Sequence, residues 1–170
     1  MNLAPPQGIA RMNDQPIHYG VVPHEVLRAE DGLSLLRAII AGRHPQPPIC
    51  EVLDFRLVEA EAGRAAFEGT PRLAFYNPLG TVHGGFAATL LDSALACAIA
   101  TTLRQGEAWT SLELKLNFVR PLLEETGPVR AEGRVIHPGR RVATAEGTLK
   151  DRDGRLYAHA TTTCMVFPAG

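Results

Sequence analysis

The stretch Asn77-Pro78-Leu79-Gly80-Thr81-Val82-His83-Gly84-Gly85, running on into FAATLLDSALACAIATTL over residues 86–103, decides how this chain is read. A turn rich in glycine and proline opens onto a long, almost wholly apolar segment of helical length. That segment carries one carboxylate, Asp92, near its middle. An ionised carboxylate on a buried helix is costly unless it is paired or hydrogen-bonded, so Asp92 is the first candidate for chemistry. If the helix begins at Gly84, the backbone N–H groups of Gly84 and Gly85 lack intrahelical partners and sit at the positive end of the dipole. Such groups suit an anion. A carboxylate and an anion-binding turn therefore lie on one short stretch.

The pattern changes on both sides of this helix. Downstream, Leu112, Leu114, Leu116 and Phe118 alternate with Glu113, Lys115 and Asn117, which predicts a strand with one buried face and one polar face. Parity puts Thr110 on the same side as Leu112. Residues 127–137, 141–150 and 155–167 read as further strands, joined by His137-Pro138-Gly139-Arg140 and Asp151-Arg152-Asp153-Gly154. Together these four strands have the spacing of an antiparallel meander. Upstream, residues 49–60 and 64–70 form two strands around Glu61-Ala62-Gly63. Val129, Ala131, Gly133 and Val135 make a small-residue face, and Ala143, Ala145, Gly147 and Leu149 make another. Small side chains let a sheet curve closely around the Ala-rich helix. The expected fold class is α+β, with one long central helix wrapped by a curved antiparallel sheet.

Residues 1–48 precede this domain, which spans 49–170. Positions 1–23 read as an extended arm or a partly ordered tail. Val26, Leu27, Leu33, Leu35, Leu36, Ile39 and Ile40, interrupted at Asp31-Gly32, predict two short helices or one broken helix. Such a helix would cover a sheet edge or a substrate tunnel. The prolines among residues 44–48 end it.

Composition narrows the function. Apolar residues make up 45% and charged residues 21% of the 170, a globular balance with enough chain for a sizeable core. A net charge of −1 gives no reason to expect a nucleic acid or an acidic membrane surface as partner. Cys50, Cys97 and Cys164 share no metal-like spacing and read as buried thiols in a reducing compartment. The N-terminal residues lack the basic start and apolar run of a secretory signal, so a cytoplasmic protein is expected. Residues 84–103 are long enough to cross a bilayer, but Asp92 at the centre favours a helix enclosed by a sheet. His18, His24, His44, His137 and His159 are scattered, and no metal or cofactor is expected. A Gly-x-Ser-x-Gly elbow is absent from the sequence, which argues against an α/β-hydrolase mechanism.

The phrases NPLGTVHGGFAATLLD at 77–92, SLELKLNFVRP at 111–121 and TLKDRDGRLYAHATTT at 148–163 carry a family likeness. They resemble the hotdog-fold acyl-CoA thioesterases, and most closely the phenylacetate-pathway (PaaI-like) branch. The likeness spans about residues 49–167. It implies hydrolysis of an acyl-CoA to free acid and CoA.

By the same likeness Asp92 is the catalytic carboxylate, activating water or attacking the thioester directly. Gly84 offers the N–H that polarises the thioester carbonyl, with Gly85 beside it. Asn77 lies near that carbonyl, and His83 either orients the loop by donating to a carbonyl or acts as a base. Ser111 helps hold the nucleophilic water, with Thr110 as the alternative that strand parity favours. Arg120, Arg140 and Arg141 are candidates for the CoA phosphates, since arginine suits bidentate phosphate contact. The likeness further implies a homodimer or a dimer of dimers with shared sites, in which the strand preceding the helix pairs across a two-fold axis. Asn77 and Gly84 would come from one subunit, Asp92 and Ser111 from its neighbour. Two other functions remain open on the sequence. One is a hotdog dehydratase or hydratase using His83, and the other is a non-catalytic acyl-CoA binding module.

Overall fold

The computed structural model describes residues 17–170. The first sixteen positions of the expected arm lie outside the described residues. From Ile17 the chain runs extended, and Tyr19 forms a parallel bridge with Gln46. Two short helices follow, α1 (His24–Ala29) and α2 (Gly32–Ile40). Asp31 separates them by capping α2, with its carboxylate accepting the Ser34 N–H at 2.9 Å and the Ser34 hydroxyl at 2.7 Å.

The strand expected over residues 49–60 needs correction at its start. Residues 48–52 instead form one helical turn, α3 (Pro48–Val52), because Pro48 is pre-organised for a first helical position. Asp54, at φ 47°, then turns the chain into β1 (Phe55–Glu61). Next come β2 (Arg64–Gly69), the long helix α4 (Gly84–Ala100), and β3 (Glu107–Phe118). The chain closes with β4 (Val129–His137), β5 (Val142–Asp151) and β6 (Leu156–Pro168).

The six strands form one antiparallel sheet in the order β1-β2-β4-β5-β6-β3. Only β4, β5 and β6 make a meander, so the expected four-strand meander is corrected. Helix α4 carries the chain across the concave face, and β3 emerges at the far edge beside β6. This is the α+β arrangement read from the sequence, a single helix wrapped by a curved sheet.

Leu90, Leu91, Leu95 and Ile99 of α4 are fully buried. Each such side chain contributes about 1.5–3 kcal/mol. Ala131 and Ala145 face them without exposure. Helix and sheet approach closely at Gly133, where an added Cβ would lie 2.4 Å from the Ala94 carbonyl oxygen. Gly32 serves α2 in the same way, since a Cβ there would meet the Ala100 oxygen at 1.8 Å. Helix α2 therefore crosses the C-terminal end of α4, away from His83, and packs along β1. Among the described residues, no helix is long and apolar enough to cross a membrane.

The two sheet edges differ. Beside β1, the buried Gln46 side chain bonds both backbone groups of Leu57, and Arg37 Nε donates to the Ala60 carbonyl at 3.3 Å. On β3, no strand of the described residues pairs with the outer edge. Leu112 and Phe118 on that strand are 56% and 57% exposed, so the face expected to be wholly buried is buried only in part. A long, apolar open edge is a template for another strand.

Candidate active site

Residues 77–83 form a turn that holds itself. Asn77 Oδ1 accepts the Leu79 N–H at 2.9 Å, and Nδ2 donates to Thr81 Oγ1 at 2.9 Å. The Asn77 N–H donates to the Thr81 carbonyl at 2.8 Å, and Gly80 takes φ 82°. The turn is tied to the body by Val82 N–H to Leu122 and His83 N–H to Phe75, at 2.9 and 2.7 Å.

His83 then caps α4, and here two expectations change. Its Nδ1 accepts the Gly85 N–H at 2.9 Å, so His83 orients the turn as an acceptor and not by donating to a carbonyl. Gly85 is thereby removed from the free donors. The Gly84 N–H has no acceptor among the described residues, which leaves it as the donor of the pair that remains available. The Phe118 ring packs against Gly84, where an added Cβ would approach Cζ to 2.7 Å.

Asp92 is half-buried on the side of α4 that faces β3. Ser111 Oγ donates to its Oδ1 at 2.8 Å. Oδ2 has no partner among the described residues and is not sealed from solvent. The parity conflict over Ser111 is resolved by a β-bulge, because Ser111 pairs with Cys164 while Glu113 pairs with Thr163. Leu112 is the extra residue, pushed outward. Ser111 and Leu114 therefore both face the helix, and Thr110 points away, exposed and paired with Met165. Thr110 is corrected out of the candidate set.

A cavity of about 410 Å³ opens at the start of α4, lined by Asn77, His83, Gly84, Phe118, Arg120 and Tyr157 among others. Arg120 lies over the Tyr157 ring at 5.6 Å and donates to the Leu156 carbonyl at 2.9 Å. Phe118 and Tyr157 were not singled out as site residues from the sequence. They stand in the stretches 111–121 and 148–163, but only the curvature of the sheet brings them to Gly84. Arg140 and Arg141 are exposed on the β4–β5 turn, at the end of the sheet nearer Ser111. They do not share the Arg120 cavity.

Cysteine chemistry has no support here. Burial pushes the Cys50 and Cys97 thiols up to about 12 and raises Cys164, so none is a ready thiolate. All three cysteines are free, with Cys97 half-buried. Among the described residues no His, Cys, Asp and Glu side chains group as metal ligands.

Gly84 and Asp92 are eight positions apart on one helix, which at 1.5 Å per residue is about 12 Å along the axis. A group in contact with the Gly84 N–H is therefore out of reach of Asp92 in the same chain.

A single helix enclosed by a curved antiparallel sheet, with a capped His-Gly-Gly turn and a helix carboxylate, defines a hotdog fold. Residues 79–158 match the family model described as the thioesterase superfamily. A protein of Saccharolobus solfataricus provisionally named an esterase is 34% identical over 66% of this chain and 78% of its own length. The 1,4-dihydroxy-2-naphthoyl-CoA hydrolase of Listeria monocytogenes is 24% identical over 68% of this chain and 93% of its own. A crystal structure of a phenylacetic acid degradation-related protein from Ralstonia eutropha superposes with TM-score 0.69. It is 32% identical and covers 76% of this chain and 98% of that one. The chain belongs to the thioesterase superfamily, a family of hotdog-fold thioester hydrolases.

Proposed function

We propose that the protein is an acyl-CoA thioesterase in which Asp92 is the general base and the Gly84 N–H is the oxyanion donor. The observation that carries this reading is the Ser111–Asp92 hydrogen bond at 2.8 Å, which fixes one carboxylate oxygen and leaves the other free. Family membership supports thioester hydrolysis, and the name of the Listeria relative supports a CoA ester.

In this mechanism Oδ2 of Asp92 takes a proton from water while the water oxygen attacks the thioester carbonyl carbon. Negative charge builds on the carbonyl oxygen, where the Gly84 N–H and the helix dipole stabilise it. The tetrahedral intermediate collapses, the C–S bond breaks, and the proton on Asp92 passes to the departing CoA sulfur. The products are a carboxylic acid and CoA. Asn77 and His83 act by holding the turn, each through hydrogen bonds within it. Arg120, at the mouth of the same cavity, is a cation available to the CoA phosphates.

The site is shared between two copies of the chain. The separation of about 12 Å between Gly84 and Asp92 supports this, because both must touch one carbonyl group. Among the described residues β3 offers the unblocked edge for pairing, since β1 is covered by Gln46 and α2, and β2, the strand before the helix, lies between β1 and β4. Release of CoA from a panel of short, medium, long and aryl acyl-CoAs tests the function. Steady turnover on at least one class is expected. Absence of CoA release from every member by folded, oligomeric protein would reject the reading.

A further inference from the structure

We propose that the Cys164 thiol is a positioning residue for the Ser111–Asp92 pair, donating to Ser111 Oγ and fixing the hydroxyl from behind. This rests on the reading of Asp92 as the base. Cys164 is fully buried on β6 and lies opposite Ser111 in the strand register. That juxtaposition exists because the bulge at Leu112 turns Ser111 inward. The Sγ to Oγ distance is 3.9 Å, and the Ser111 hydroxyl continues to Asp92 at 2.8 Å.

The direction of the bonds follows from the number of protons. A serine hydroxyl has one proton and two lone pairs, and an ionised carboxylate only accepts. Ser111 therefore spends its proton on Asp92 and accepts from elsewhere. Burial keeps the Cys164 thiol protonated, and the neighbouring Asp92 charge opposes its ionisation further. The neighbouring Thr162 hydroxyl is committed to the Glu113 carbonyl at 2.5 Å. With the thiol in place, rotation of Ser111 away from Asp92 breaks two bonds instead of one.

Cys164→Ala and Cys164→Val test this, each alone and in a Ser111→Ala background, with Val, one heavy atom larger than Cys, occupying the space that Ala leaves empty. Each single variant should lose about three- to tenfold in kcat with KM unchanged, the range for one modest hydrogen bond. In the Ser111→Ala background the same substitutions should have no further effect, because the thiol acts only through that hydroxyl. A merely structural role would lower kcat equally in both backgrounds. Wild-type kcat in the folded single variants, or equal losses in both backgrounds, would overturn the inference. Asp92→Asn assayed in parallel separates the two levels. If it retains full turnover, the base assignment fails and takes this inference with it. If it is inactive while the Cys164 effects are additive, only the inference fails.

Discussion

The side-chain amide of Gln46 holds both backbone groups of Leu57, donating to its carbonyl and accepting its N–H at 3.2 Å each. A buried glutamine here does what another strand would do, and β1 is closed as an edge. Gln46 is itself placed by backbone bonds, from its N–H to the His18 carbonyl at 3.0 Å and from the Gly20 N–H to its own carbonyl at 2.9 Å.

Gln46→Ala should destabilise the protein by about 1–3 kcal/mol, the cost of leaving buried polar groups without partners. Denaturant midpoints measure this. Deleting residues 1–23 removes the His18 and Gly20 partners of Gln46, so it should cost part of what Gln46→Ala costs. Deleting 1–45 should expose the buried faces of β1 and the end of α4, and impair solubility or acyl preference. Unchanged stability and acyl preference in the longer deletion would contradict the role assigned to α2.

Asp92→Asn should leave the fold intact and lower kcat at least ~100-fold, the low end for loss of an acid–base group. Asn77→Ala should cost less, since it loosens the turn while the Gly84 N–H remains. Steady-state kinetics with circular dichroism as a folding control decide the order. A larger loss for Asn77→Ala would reverse the roles given to the two residues.

Mixing Asp92→Asn subunits with Gly84→Pro subunits should restore activity if sites are shared. Proline is tolerated at a first helical position, and the His83 backbone at φ −59° and ψ 136° suits a following proline, though the Phe118 ring must shift to admit its Cβ. Random pairing makes half the dimers mixed, each with one intact site, so recovery should reach about a quarter of wild-type. No recovery, with exchange and folding verified, would put each site within one chain.

Asp31→Ala should cost about 0.5–2 kcal/mol at neutral pH through loss of the α2 cap. The Ser34 backbone N–H, then the Ser34 hydroxyl, hold the Asp31 carboxyl below the ordinary carboxylate range. A depressed folded-state pKa gives stabilisation that is complete above the unfolded value of about 3.9 and lost as pH falls through the folded value. The gap in urea midpoint between wild type and variant should therefore narrow below about pH 4. A gap that widens with acid would mean the charge on Asp31 opposes folding.

The local elements and the chemical candidates were legible in the order of the residues. A long apolar run behind a glycine-rich turn marked α4, alternation and turn residues marked most strands, the small-residue faces of β4 and β5 announced close helix–sheet packing, and a lone carboxylate on an apolar helix marked Asp92. Local rules suffice there because period and solvation cost are properties of neighbouring residues. The rest depended on contacts made across the fold. Pairing of β3 with β6 is a long-range choice that no local spacing encodes. The bulge at Leu112 forms only against β6, and it reverses the parity that had favoured Thr110 over Ser111. His83 spends the Gly85 N–H because the capped turn brings its ring there, and Phe118 reaches Gly84 because the sheet curves around the helix. Each of these depends on which atoms meet across the fold, and packing and hydrogen-bond satisfaction fix them only once the chain has closed on itself.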